Sequence, residues 1–305
     1  MDALISVIIP FQYETAQLQN CLNSIKSQTY QNFEIILIAD GANPESLAIA
    51  EEFQFPKIEL IVIEIAGGQS AARNKGIALA KGDFIAIQDA DDCGLPERFE
   101  KQLEAFHNNK NLDVLGSSAQ VIDKGFEWDV YSSHDDIESQ LLFNNPMIHS
   151  SVMLRKKVFT KFAYNSTYNT SEDYDLFSLL IRQFRFENLK SPLVQYTLPS
   201  SSKPSNLDQR MKARIIRERN NKLVPEELIH SFHHFCELNN IIKTKDLKGL
   251  IKVFRGQGSG KVFNDHLLRY ALKHKANLSI PMKLKTWSSS ILMRKASVLK
   301  KILFN

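Results

Sequence analysis

Four short apolar runs early in the chain, each ending in a polar cluster, constrain the fold more than any other feature of the sequence. Leu4–Pro10 (LISVIIP) and Phe33–Ala39 (FEIILIA) are rich in β-branched residues and nearly continuous, as strands buried on both faces must be. Ile58–Ile65 and Phe84–Gln88 read as a third and a fourth strand. Helical spacing fills the gaps. Leu18, Leu22 and Ile25 recur within Thr15–Gln28, Pro44 opens a helix with a Leu47, Ala50 and Phe53 stripe, and Ser70–Ala80 gives a third helix. This alternation predicts an α/β fold, a Rossmann-like and mostly parallel sheet with helices on both faces.

Open sheets of this kind bind ligands beyond the C-terminal ends of their strands. Pro10–Tyr13, Asp40–Gly41, Gly67–Arg73 and Asp89–Asp92 all fall there, so they are expected to line one crevice. Asp89-Ala90-Asp91-Asp92 is the sharpest local signal. Three carboxylates at a strand end repel one another unless a cation compensates them, and magnesium or manganese suits such oxygen donors together with substrate phosphates. The bland alternative is an acidic turn, with Asp92 capping a helix that starts near Pro96. In Gly67–Asn74 small residues let backbone amides approach a diphosphate at a helix start, and Arg73 can pair with phosphate or carboxylate. A plain strand–helix connection would read the same way, and the segment is neither a GxGxxG fingerprint nor a GxxxxGK[ST] loop. Asp40 can accept from a base N–H or a ribose hydroxyl, or simply form an Asp-Gly turn.

Further along, Ile148–Leu154 reads as a strand that opens with His149 and Ser150, which either satisfy backbone groups or touch a substrate. Ala163–Ser171 is a polar loop. A helix after Asp173 carries Phe177, Leu180, Ile181 and Phe184 on one face. Pro199–Asn206 looks like a linker, and beyond it the chain turns basic and helical.

Of the 305 residues 43% are hydrophobic and 24% charged, an ordinary globular balance, and a net charge of +4 is too small to imply a nucleic-acid partner. The excess charge sits at the end: from Pro281 onward there are Lys283, Lys285, Arg294, Lys295, Lys300 and Lys301 and no acidic residue. Mixed there with Leu284, Trp287, Ile291 and Leu292, these cations suit a helix lying on anionic lipid, or equally a packed helix with solvated charges. No run approaches the ~18 apolar residues that span a bilayer. Cys21, Cys93 and Cys236 are widely spaced and no secretion signal is indicated, so the expected location is the cytoplasm, at the membrane's cytoplasmic face if the tail binds lipid.

The segments SVIIPFQYE, FEIILIADGAN, GGQSAARNKGIALAKGDFIAIQDADD, NPMIHSSVMLRKKVF and SEDYDLFSLLIR, in that order and spacing, resemble glycosyltransferase family 2. That family comprises inverting enzymes with the GT-A nucleotide-sugar fold. The resemblance implies a GT-A domain over residues 1–200 and a helical basic C-terminal extension over 201–305. It implies that Asp40 and the loop from Pro10 to Tyr13 hold the nucleobase, with Arg73 near the base or diphosphate. Asp89 would contact the ribose, Asp91 would ligate Mg2+ or Mn2+, and Asp173 would be the general base. The donor would be a nucleotide-sugar, a UDP-sugar favoured, and the acceptor a glycan or lipid-linked glycan in bacterial surface polysaccharide or glycolipid assembly. The transferred group would be hexosyl or N-acetylhexosaminyl. Apart from the resemblance, Trp128 and Tyr131 read as loop residues that could stack on a sugar ring or pack in the core or on the surface. Two departures stand out. Ala39-Asp40 replaces a pair of aspartates, and Tyr196-Thr197-Leu198-Pro199 lacks the histidine usual after the last core strand. A nucleotidyltransferase and a non-catalytic nucleotide-sugar-binding protein are the rival readings; a dinucleotide-dependent oxidoreductase lacks its fingerprint.

Overall fold

The chain begins β1 (Ile5–Phe11), α1 (Ala16–Lys26), β2 (Phe33–Asp40), α2 (Pro44–Glu52), β3 (Ile58–Ile63), α3 (Gln69–Leu79) and β4 (Phe84–Ile87), the alternation expected from the four apolar runs. These assignments come from a computed structural model that describes residues 2–53, 55, 58–63, 67–168, 170–198, 206–221, 224–237, 246, 249–250 and 253–254, with the backbone alone at 58–63, 206–208 and 235. There follow β5 (Cys93–Gly94), α4 (Arg98–Asn108), β6 (Leu112–Val121), β7 (Phe126–Trp128), α5 (His134–Leu141), β8 (Met153–Arg155), α6 (Glu172–Leu180), β9 (Arg185–Tyr196), α7 (Asn206–Asn220) and α8 (Glu226–Glu237). The linker expected at Pro199–Asn206 falls on residues 199–205, which lie outside the described residues, as does the basic tail from Pro281 onward.

One sheet runs β3-β2-β1-β4-β8-β6-β9-β5, with β7 paired to β6. Its first four strands are parallel, and β8 then joins β4 antiparallel. Alternate residues of the buried strands face opposite layers, the period-two consequence of the pleat. Ile5, Val7 and Ile9 pack with Leu18 and Leu22 of α1 and with Phe99 and Leu103 of α4. Ile8, Ile36 and Ile38 pack on the other face with Ala72 of α3 and Phe177 of α6. Chain contacts divide the protein into two compact units, residues 1–141 with 145–216, and residues 142–144 with 217–305. Within the second unit Phe232 stacks on Phe254 with Phe143 tilted against both, and buried Arg217 pairs with Glu237 at 2.9 Å.

Two expectations are corrected. The strand foreseen at Ile148–Leu154 is shorter and shifted, because His149–Ser151 form a 3-10 turn before β8 begins at Met153. The helix after Asp173 ends at Leu180, so Phe184 lies beyond it.

Helix α3 approaches the sheet closely at Gly76. A Cβ there would stand 2.7 Å from Ile38 Cδ1 and 2.9 Å from Ile8 Cγ2, both on fully buried side chains. Gly76→Ala is therefore expected to destabilise the fold by about 1–3 kcal/mol through overpacking, despite alanine's ~1 kcal/mol better helix propensity. Urea denaturation checks this. An unchanged or higher midpoint would mean that α3 can shift outward at no cost.

Candidate active site

At the strand tips the polar clusters converge, as the sheet topology requires. Asp40 ends β2 and is 1% exposed. Its Oδ1 accepts the Gly67 N–H at 2.7 Å and its Oδ2 accepts from Gln12 Nε2 at 3.1 Å. One carboxylate thus ties the loops that follow β1, β2 and β3. The amides of Gln12 and Tyr13 donate to Glu14 Oε2 at 2.7 and 3.0 Å, which shapes the turn after β1 and leaves the Tyr13 ring 69% exposed. Pro10 is buried within β1, in register with Ile38. Gly68 enters α3 at φ 83, a left-handed conformation that glycine adopts without steric cost.

Arg73, on α3 and 1% exposed, is the hub. Its Nη1 donates to Glu172 Oε1 at 2.7 Å, and its Nη2 donates to Asp89 Oδ1 at 2.7 Å and to Gln69 Oε1 at 3.0 Å. Burial alone would lower the guanidinium pKa, but Asp89 and then Glu172 carry it above its ordinary value. Its Nε is buried with no hydrogen-bond partner among the described residues. The guanidinium lies 5.7 Å from the centre of the Tyr164 ring, whose backbone is clamped from both sides by the Asn74 amide at 2.8 and 2.9 Å.

The acidic turn after β4 is braced on every side. Asp89 Oδ2 accepts from Ser150 Oγ at 3.0 Å. Burial pushes the Asp89 pKa up, yet the Arg73 charge, His149 and hydrogen bonds from Arg73 and Ser150 outweigh it and hold it at about 2. Ser150 Oγ also makes a short contact with Asp92 Oδ2, and the Thr197 N–H donates to Asp92 Oδ1 at 2.8 Å. Burial, then Asp89 and Asp91, push Asp92 up to about 8. A serine hydroxyl has one proton to give, so Asp92 keeps its own and donates to Ser150, which donates to Asp89. Underneath, Gln88 Nε2 donates to the carbonyls of Asp89 and Asp92 at 3.0 and 2.9 Å. Fully buried Arg98 in turn holds Gln88 Oε1 at 2.7 Å. The reading of Asp92 as a helix cap is corrected: α4 starts at Arg98 behind Glu97, and Asp92 bonds to Ser150 and Thr197 instead.

Because the folded state holds the Asp92 proton up to about pH 8, stability falls as pH rises from the ordinary carboxylate range toward that value. Asp92→Asn keeps a donor toward Ser150 and an acceptor for Thr197 but cannot ionise. In metal-free buffer its urea midpoint, relative to the unchanged chain, should rise steadily between pH 5 and 8. Parallel pH curves for the two proteins would contradict the protonated state.

Asp173 sits in the first turn of α6, half-buried, behind Ser171 at φ 61. Its Oδ2 accepts from Asn145 Nδ2 at 2.7 Å and its Oδ1 from the Tyr174 N–H at 2.7 Å. Burial raises its pKa above the usual carboxylate range; His149 opposes that and Glu172 adds to it. His149 is itself buried, with Nε2 2.8 Å from the Tyr164 hydroxyl and Nδ1 3.7 Å from Asp89 Oδ2. Burial, then Arg73, lowers its pKa.

Asp91 is half-buried on the same turn, and its carbonyl accepts from Thr197 Oγ1 at 2.9 Å. Among the described residues no group of three or more His, Cys, Asp and Glu side chains is arranged to hold a metal ion. Magnesium or manganese would need no such cluster, since these ions bind through one or two carboxylates and complete their shells with substrate phosphate and water, and Asp91 is the carboxylate that would hold one. The sequence reading covered Gln12 only as part of the Pro10–Tyr13 loop and did not place Thr197 or Arg98 in the site. Thr197 could have been suspected, since it stands where the expected histidine is missing.

The sequence model for glycosyl transferase family 2 matches residues 6–182, more than half of the chain. The chain belongs to glycosyl transferase family 2. This family 2 glycosyltransferase is 31% identical over 208 residues to an uncharacterized glycosyltransferase of Methanocaldococcus jannaschii, covering 65% of this chain and 71% of the relative. It is 29% identical over 248 residues to the O-antigen biosynthesis glycosyltransferase WbnJ of Escherichia coli, covering 77% and 96%. Its fold is similar to that of S. aureus TarS 1–349 in complex with UDP-GlcNAc, with TM-score 0.58 and 20% identity, covering 82% of this chain and 79% of that TarS 1–349 chain. The GT-A architecture foreseen for this family 2 glycosyltransferase is the one observed.

Proposed function

We propose that this glycosyltransferase moves a hexosyl or N-acetylhexosaminyl group from a UDP-sugar to a hydroxyl of a glycan or lipid-linked glycan, with inversion, in the assembly of a surface polysaccharide or glycolipid. The observation that carries this reading is the buried Arg73 bridge. It joins Asp89, on the nucleotide side of the crevice, to Glu172, the neighbour of Asp173, through two contacts of 2.7 Å. Donor recognition and base are thereby held in one rigid frame. The names of the relatives support the substrate class: WbnJ is an O-antigen biosynthesis glycosyltransferase, and TarS structures contain UDP-GlcNAc and UDP.

In this reading Asp40 and the Pro10–Tyr13 loop hold the base, Asp89 meets the ribose, and Arg73 lies near the diphosphate. Asp91 would hold a magnesium or manganese ion, whose chemistry when bound is to neutralise the charge of the leaving diphosphate. Asp173 accepts the proton of the acceptor hydroxyl as that oxygen bonds to the anomeric carbon and the bond to the diphosphate breaks, UDP leaving with the electron pair. One displacement inverts the centre. A base whose pKa is raised by burial takes the proton more readily than an ordinary carboxylate. The catalytic work belongs to residues 1–200, and the extension over 201–305 brings the enzyme to its acceptor at the cytoplasmic face of a membrane. Among the described residues no helix is long and apolar enough to cross one.

Thermal unfolding with a panel of nucleotide-sugars tests the donor class. Protection by mass action amounts to about 2.7 kcal/mol at a hundredfold excess over Kd. UDP-sugars with manganese should raise Tm, and GDP-, ADP- and CMP-sugars should not. Equal protection by all four bases, or none from UDP-sugars, would refute the proposal.

A further inference from the structure

We propose that Trp128 and Tyr196 form a platform on which a pyranose ring of the acceptor stacks, an inference that rests on the donor and base assignments above. Trp128 ends β7, a short strand paired to β6 at the margin of the sheet, so this residue is not in the loop foreseen for it. It is 40% exposed, a large ring left facing solvent. Its position is fixed, because its carbonyl accepts from Ser118 Oγ at 2.7 Å and its ring stands edge-on to Tyr196, with centroids 6.1 Å apart at 85°. Phe126 flanks it at 6.4 Å.

The pair is joined to the acidic turn through the backbone. Tyr196 is the last residue of β9, and Thr197, which follows it, donates to Asp92 Oδ1 and to the Asp91 carbonyl. Burial, then Asp92, Asp89, Asp173 and Asp91, raise the Tyr196 phenol pKa, so the ring lies within the field of the same carboxylates that frame the reaction. In the sheet order the donor-side strands β3, β2, β1 and β4 occupy one end, while β6 with β7 and β9 lie on the other side of β8. The platform therefore lies across β8 from the strands assigned to the donor, and there an acceptor ring would meet it. A pyranose presents an apolar C–H face bordered by hydroxyls. A fixed indole offers a flat apolar surface that loses little entropy on binding, and the nearby phenol supplies a polar edge.

The test measures UDP release by the full chain from UDP-GlcNAc and UDP-glucose, with the octyl β-glycosides of glucose, galactose, N-acetylglucosamine and N-acetylgalactosamine as acceptors. Trp128→Ala should raise the acceptor KM about tenfold without a matching rise in the donor KM. Trp128→Leu keeps apolar bulk but no aromatic face and should behave like the alanine variant, whereas Trp128→Phe should keep most of the affinity. An acceptor KM equal to that of the unchanged chain in the leucine variant, or donor and acceptor KM rising together, overturns the platform. So does UDP release by the unchanged chain that none of the four glycosides stimulates. If neither donor releases UDP under any condition, the donor assignment fails first and the platform with it.

Discussion

Asp173→Asn should lower turnover at least about a hundredfold, the lower end of what a general base supplies, while donor affinity stays nearly constant. The amide has the shape of the carboxylate but cannot take a proton. Asp173 accepts from both Asn145 Nδ2 and the Tyr174 N–H, and Asn145 Oδ1 already accepts from Met147 N, so one of the two bonds to residue 173 is lost. That loss, with the weaker helix N-terminus, costs stability only about 1–2 kcal/mol. Glu172→Gln should cost stability first, and turnover only as far as the Arg73 frame loosens. Glu172 is buried and paired to Arg73 at 2.7 Å, so its neutralisation weakens a buried ion pair and should lower Tm more than Asp173→Asn does. Initial rates of UDP release and calorimetric Tm, measured on both variants, decide the matter. Near-normal turnover in Asp173→Asn with a small loss of stability would make Asp173 a helix-start residue.

How much of this was legible depended on whether burial leaves a mark in the sequence. Strands β1, β2 and β4 were readable because they are buried on both faces, so FEIILIAD is apolar but for Glu34 and the terminal Asp40. The second half of the sheet hid itself. In β6 Ser117 and Ser118 are fully or almost fully buried, yet they are polar, their hydroxyls donating to the Ser118 and Trp128 carbonyls. Strand β9 carries Pro192 and meets β6 with register shifts, so no alternation of period two survives in it. His149–Ser151 looked like a strand start, but Ser150 is turned toward Asp89 and Asp92, and the backbone coils to allow it. In the site, the convergence of Pro10–Tyr13, Asp40, Gly67–Arg73 and the acidic turn followed from topology alone. The bond from Thr197 to Asp92 spans 105 positions, and only the family's missing histidine after the last core strand hinted at it.

Asp91→Ala should abolish the metal dependence of donor binding. Of the three carboxylates on the turn, Asp89 is committed to Arg73 and Ser150, and Asp92 is buried, carries a proton and meets Ser150 and Thr197. Asp91 is half-buried on the same turn, and the family resemblance assigns it the hard cation that would join the protein to a diphosphate. Removing it leaves Asp40, Arg73 and the rest of the crevice in place, so residual donor binding should survive without a response to metal. Isothermal titration of UDP-GlcNAc into the unchanged chain and into Asp91→Ala, each with manganese and with chelator, measures this directly. Manganese should tighten binding to the unchanged chain at least about tenfold, some 1.4 kcal/mol, and leave the variant's affinity unmoved. The same affinity and the same manganese response in both proteins would contradict the account.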